Sequence, residues 1–103
     1  MIVILKRKDR ISYIISKAVI HYGMPKDKLL ECNIKRDQIE KRHFIIKLLR
    51  DIADLSFKEI AWECSSYGPS ICLQYSRLNE DLAFDEELQS RYNELEHKIL
   101  TNT

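Results

Sequence analysis

Apolar residues recur along this chain at the three- and four-residue spacing of amphipathic helices. Ile11, Ile14, Ile15, Ala18, Val19 and Tyr22 share one face of a helix that Asp9 can cap and Gly23 can end. Pro25 opens a short turn over Lys26–Glu31, pinned by Leu29 and Leu30. Asn33 to Arg36 reads as a polar, basic loop, and Asp37 with Glu40 offers a capping box. The next helix, Gln38–Ala53, carries Ile39, Phe44, Ile45, Ile46, Leu48, Leu49 and Ile52. Those positions cover more than one face, so this helix is expected at the buried centre of a bundle. A last helix over Glu86–Leu100 has the stripe Leu88, Tyr92, Leu95 and Ile99. That stripe fits packing onto the bundle and a homodimer through the C-terminal helix equally well. Met1–Leu5 alternates only weakly, as a short strand or a packed end.

Between the long helix and the last one lies Ser56 to Leu78. Ser56 and Glu59 form a second capping box, followed by the apolar Phe57, Ile60 and Ala61. Ser65, Ser66, Tyr67 and Gly68 are poor helix continuers, and Gly68 can supply a positive φ. Pro69 suits the first position of a new helix, where no amide bond is lost. Ile71, Tyr75, Leu78 and Leu82 line one face of that helix. Two short helices joined by turn residues that include a glycine outline a helix-turn-helix. The expected fold is all-α, a small bundle of five or six helices in one domain spanning residues 1–103.

Composition narrows the classes. An apolar fraction of 45% supports a modest core, and two Gly and two Pro exclude collagenous or hairpin-rich structure. No apolar run approaches the roughly 18–20 residues of a membrane span. Met1–Leu5 is too short for a signal peptide, and its charges follow it. A soluble intracellular chain without membrane contact is the expectation. The net charge of +1 conceals a split: residues 1–50 hold 13 Lys and Arg against 5 Asp and Glu, whereas residues 51–103 hold 4 against 11. A basic half of net +8 suits a polyanion. Attraction between the halves is the competing reading.

Catalytic and metal chemistry find no support in the residue pattern. Cys32, Cys64 and Cys72 show no CxxC spacing, and His21, His43 and His97 fall on different elements. Free buried thiols are expected rather than a zinc site. Phosphate-binding glycine loops are missing from the sequence, and the carboxylates sit on solvated helix faces. No enzyme activity and no cofactor are therefore expected.

In a helix-turn-helix the second helix enters the major groove and its first residues meet base edges. Tyr67, Ser70 and Gln74 would occupy such positions, with Gln74 able to bond adenine bidentately. Arg77 is the one cation on that helix, so Lys35, Arg36, Lys41, Arg42 and the N-terminal basic cluster would have to supply phosphate contacts. Tyr67 can equally cover the core edge, Arg36 and Arg42 can be ordinary solvated residues, and Trp62 is expected to pack.

From Ile11 to Leu100 the chain resembles the C-terminal DNA-binding domain of the bacterial replication initiator DnaA. Val19-x-x-Tyr22, Leu29-Leu30, Arg36, Arg42, Leu48 and Leu55-Ser56-Phe57-x-Glu59-Ile60 carry the resemblance, ungapped from Tyr22 to Ile60. It implies a Trp-repressor-like helix-turn-helix and double-stranded DNA as ligand. It also implies that Arg36 and Arg42 fall in or just after a basic loop that approaches the DNA backbone and minor groove. The departure lies in the turn. The family reads GGRDHTTV, where this chain has Ser65-Ser66-Tyr67-Gly68-Pro69-Ser70-Ile71. Aligned without a gap, only Ser70 keeps a family-like hydroxyl. Aligned with one deletion, Ile71 and Leu78 fall on core positions and Ser70 replaces the second Thr. Either way the base-reading set is mostly lost, and recognition of the family's DNA box is not expected. With no ATPase motif, the expectation is a DNA-binding regulator or accessory factor. The competing expectation is a degenerate module acting through protein contacts or homodimerisation.

Overall fold

The computed structural model describes residues 7–30, 36–64, 66 and 68–101. Among them are six helices and no strand: α1 Arg7–Tyr22, α2 Lys26–Leu29, α3 Arg36–Asp51, α4 Phe57–Glu63, α5 Gly68–Phe84 and α6 Glu86–Thr101. The all-α bundle expected from the apolar periodicity is therefore the observed class.

The central helix is α3. Phe44, Ile45, Ile46, Leu48 and Leu49 are all buried, which requires neighbours on several sides. Helices α1, α2, α4 and α5 provide them. Burial of such a cluster removes about 1.5–3 kcal/mol of apolar exposure per large side chain. Helix α1 contributes Ile14, Ile15 and Ala18, with Ile11, Val19 and Tyr22 half-buried beside them. It ends as the sequence indicates: Gly23 takes φ +64°, and the Gly23 and Met24 amides both donate to the Val19 carbonyl, at 2.8 and 3.3 Å.

Three boundaries differ from expectation, the first being that of α1, which begins at Arg7 and so holds the expected cap Asp9 inside its first turn. Helix α3 starts at Arg36, one residue before the expected cap, so Asp37 lies inside the first turn. Glu40 is then not needed by a capping box, and its carboxylate pairs with Arg91 of α6. Helix α3 also stops at Asp51, short of Ala53, because Asp54 turns the chain at φ +60°. The Leu55 amide then donates back to the Leu49 carbonyl at 3.1 Å, and Arg50 Nη1 donates to the Leu55 carbonyl at 2.9 Å. Asp tolerates this left-handed conformation better than most residues. Asp85 leaves α5 and caps α6, accepting from the Leu88 amide at 3.0 Å.

The α6 stripe is resolved in favour of the bundle. Leu88, Tyr92, Leu95 and Ile99 are all buried within one chain, with the Tyr92 ring edge-on to Phe44 at 5.3 Å. Tyr13 Oη of α1 donates to the Ile99 carbonyl at 3.0 Å. The stripe is thus used within one chain, and nothing in the bundle supports a homodimer built on it. No helix among the described residues is long and apolar enough to cross a membrane.

Candidate nucleic-acid interface

The sequence that starts α4 does so by local chemistry. Ser56 Oγ accepts the Glu59 amide at 3.2 Å, and the Glu59 carboxylate accepts the Ser56 amide at 3.0 Å. This reciprocal pair stabilises a seven-residue helix too short to persist alone. Ile60 and Ala61 face inward, so Lys58 and Trp62, four residues apart, share the outward side. Trp62 is 84% exposed, contrary to the expectation that it packs. It lies one residue past the inward pair, on the side where α4 meets solvent.

The chain leaves α4 through Cys64, whose amide donates to the Ile60 carbonyl, and Ser66, whose amide donates to the Ala61 carbonyl at 2.8 Å. Gly68 opens α5 and is not among the positive-φ residues, which corrects the expected turn geometry. Pro69 follows within the first helical turn, where its missing amide costs nothing. Ile71 and Leu78 are buried, and Tyr75 and Leu82 are half-buried, as the periodicity indicates. Phe57 meets Tyr75 edge-on at 5.4 Å and ties α4 to α5.

Helices α3 and α5 are joined by polar side chains: Lys47 Nζ donates to Asn79 Oδ1 at 2.6 Å, and Tyr75 Oη donates to Asp51 Oδ1 at 2.6 Å. Lys47 also pairs with Asp51 at 2.8 Å and stands over the Tyr75 and Tyr92 rings. None of these four polar residues was a sequence candidate. The visible trace is the i, i+4 pair Lys47–Asp51 on a helix with no other free face.

Three candidates join in one internal chain of hydrogen bonds. Arg42 is 4% exposed; its Nη1 donates to the Leu30 carbonyl and its Nε to Gln74 Oε1 at 3.2 Å. Gln74 Nε2 in turn donates to Ser70 Oγ at 3.2 Å. Arg42 is thus a strut from the end of α2 to α5, which corrects its reading as a phosphate contact. Gln74 is similarly engaged, with both ends of its amide used inside the fold. Helix periodicity already places position 42 beside the buried Ile45 and Ile46, the signal that it faces inward.

Arg36 is the first residue of α3, and Lys35 and Tyr67 lie outside the described residues. Arg77 is exposed on α5, and its charge reaches His43 of α3. His43 is held below the ordinary imidazole range by burial first, then by Arg42 and Arg77, with Asp81 opposing them. Burial pushes the Cys64 thiol up to about 11, consistent with an inert core cysteine.

Several described cations of the basic half have partners within the molecule. Lys26 pairs with Glu63 at 3.5 Å, and Lys41 Nζ lies 3.5 Å from Met24 Sδ and over the Tyr22 ring. The Arg50 guanidinium stacks on Phe57 at 4.5 Å. The outward edge of α5 remains: Pro69, Leu73, Ser76, Arg77 and Glu80 are all exposed. Its first turns are apolar or neutral, a single cation follows, and carboxylates close it. No protein-family model matches the chain, and no curated protein sequence matches it.

Proposed function

We propose that α4 and α5 form a helix-turn-helix and that the protein binds double-stranded DNA as a regulator or accessory factor. The observation that carries this reading is the uncovered outward edge of α5, presented directly after a capped α4. The resemblance of Ile11–Leu100 to the DnaA C-terminal domain supports the same conclusion. In this reading Arg77, Lys35 and Arg36 supply phosphate contacts, Ser70 and Tyr67 meet the groove edge, and Arg42 with Gln74 hold α5 at its angle. So few cations at the edge, and so little base-reading chemistry, correspond to weak binding with slight sequence preference. A salt titration against random duplex DNA tests it. Affinity that falls steadily with salt supports the reading; none at about 50 mM salt, where phosphate contacts count most, overturns it.

A second reading, action through protein contacts, draws on Trp62 and on Leu73, which is 52% exposed. Large aromatics exposed beside a helix edge are typical interface anchors. Replacing both with Ser separates the two readings. Loss of a protein partner with the DNA salt dependence intact favours the second, and loss of DNA affinity favours the first.

A further inference from the structure

The α3, α5 and α6 helices enclose a groove of about 840 Å³ away from the α4–α5 turn. Its floor is apolar, formed by Ile39, Leu78 and Leu88. At its lip stands Phe84, 91% exposed at the end of α5. Four carboxylates, one guanidinium and the His43 imidazole line the groove, with His43 held toward its neutral form by burial. Glu40 is tied to Arg91 through two bonds of 3.0 and 2.8 Å, and Asp85 caps α6. Glu80 and Asp81 are left exposed on the α5 rim, near the end of α5 where helix carbonyls add further negative potential. An apolar floor, an aromatic lip and an acidic rim fit a short segment with apolar residues followed by cations.

This chain carries such a segment: Met1-Ile2-Val3-Ile4-Leu5 followed by Lys6, Arg7 and Lys8. Its own groove is out of reach. Helix α1 runs antiparallel to α6, as Tyr13 meets Ile99 while Tyr22 lies in the field of Glu40 and Arg91. The groove is therefore at the far end of α1 from Arg7. Arg7 to Tyr22 spans about 22 Å of helix. Six residues before Arg7 extend at most ~21 Å, so the apolar residues cannot be laid along the floor. We infer that the groove receives the Met1–Lys8 segment of a second copy of this chain. Reciprocal exchange about a two-fold axis then closes a dimer. This contact does not rest on DNA binding, although Glu80 belongs both to the groove rim and to the outward edge of α5.

Light scattering on the full chain at low salt tests the inference without DNA. The expected mass rises with concentration toward twice the 12.3 kDa of one chain. Phe84→Ser, the pair Glu80→Lys with Asp81→Lys, and the pair Lys6→Glu with Lys8→Glu should each raise the dimer dissociation constant by about tenfold or more. Phe84, Glu80, Asp81 and Lys8 lie outside the core cluster, and far-ultraviolet circular dichroism checks that helicity is kept in every variant. Combining the two charge-reversed pairs in one chain should restore the dimer. A monomer at every concentration overturns the inference. A dimer indifferent to the groove variants, or one that the combined charge reversal fails to restore, overturns it equally.

Discussion

The two faces of α5 carry opposite lessons. On the face toward α3, polar side chains have partners on that helix: Gln74 with Arg42, Tyr75 with Asp51 and Asn79 with Lys47. The outward face exposes Pro69, Leu73, Ser76, Arg77 and Glu80. Two of the cations that make the first half of the chain look like a polyanion binder, Arg42 and Lys47, instead hold α5 in place. Linear charge therefore overstates what this molecule can offer a phosphate backbone, because a guanidinium spent on a buried carbonyl releases no counterion from DNA.

The contrast is broken or sharpened most strongly by substitution at neighbouring positions. Ile71→Ala on the inner face should cost about 2–5 kcal/mol of stability in a urea melt, as large-to-small core changes do. Leu73→Ala, two residues on, should stay within about 0.5 kcal/mol. Equal losses at the two positions would mean that the outer face is covered. Arg42→Gln comes next, at about 1–3 kcal/mol, because the Leu30 carbonyl loses a buried donor. Its DNA salt slope should match that of the parent chain once folded, since no phosphate contact is removed. Ser56→Ala should cost about 1 kcal/mol through the lost α4 cap.

The smallest effect is set by pH. His43 has its pKa lowered by burial and by Arg42, so the unfolded chain takes up the proton first on acidification. The stability tied to neutral His43 is present in full above the ordinary imidazole value of 6.5 and is lost as pH falls through the lower folded value. Chemical denaturation at pH 7.5 and pH 5 should show this loss, and His43→Gln should flatten the difference.

The fold was legible wherever a local rule operated. The Ser56–Glu59 box, the Gly23 cap and the Leu88–Ile99 stripe each follow from neighbours within a few residues. The Asp54 turn was hidden because a left-handed Asp leaves no pattern in the sequence. Site residues were harder to read. Position 42 satisfies a basic motif and a buried helical register together, and only the packing of α2 and α5 against α3 decides between them. Trp62 was misplaced for a similar reason, since a seven-residue helix has too few apolar positions to define its inner face. The roles of Arg77 and Leu73 depend on what lies opposite them, which the sequence of one chain does not contain.

The most direct measurement is the slope of log affinity against log salt for duplex DNA, taken for the parent chain, Arg77→Ala and Arg42→Gln. A measurable parent slope, reduced by about one unit in Arg77→Ala and unchanged in Arg42→Gln, is the expected outcome. A slope that drops in Arg42→Gln but not in Arg77→Ala, or no binding by the parent chain at about 50 mM salt, would contradict the proposed division between an inner strut and an outer binding edge.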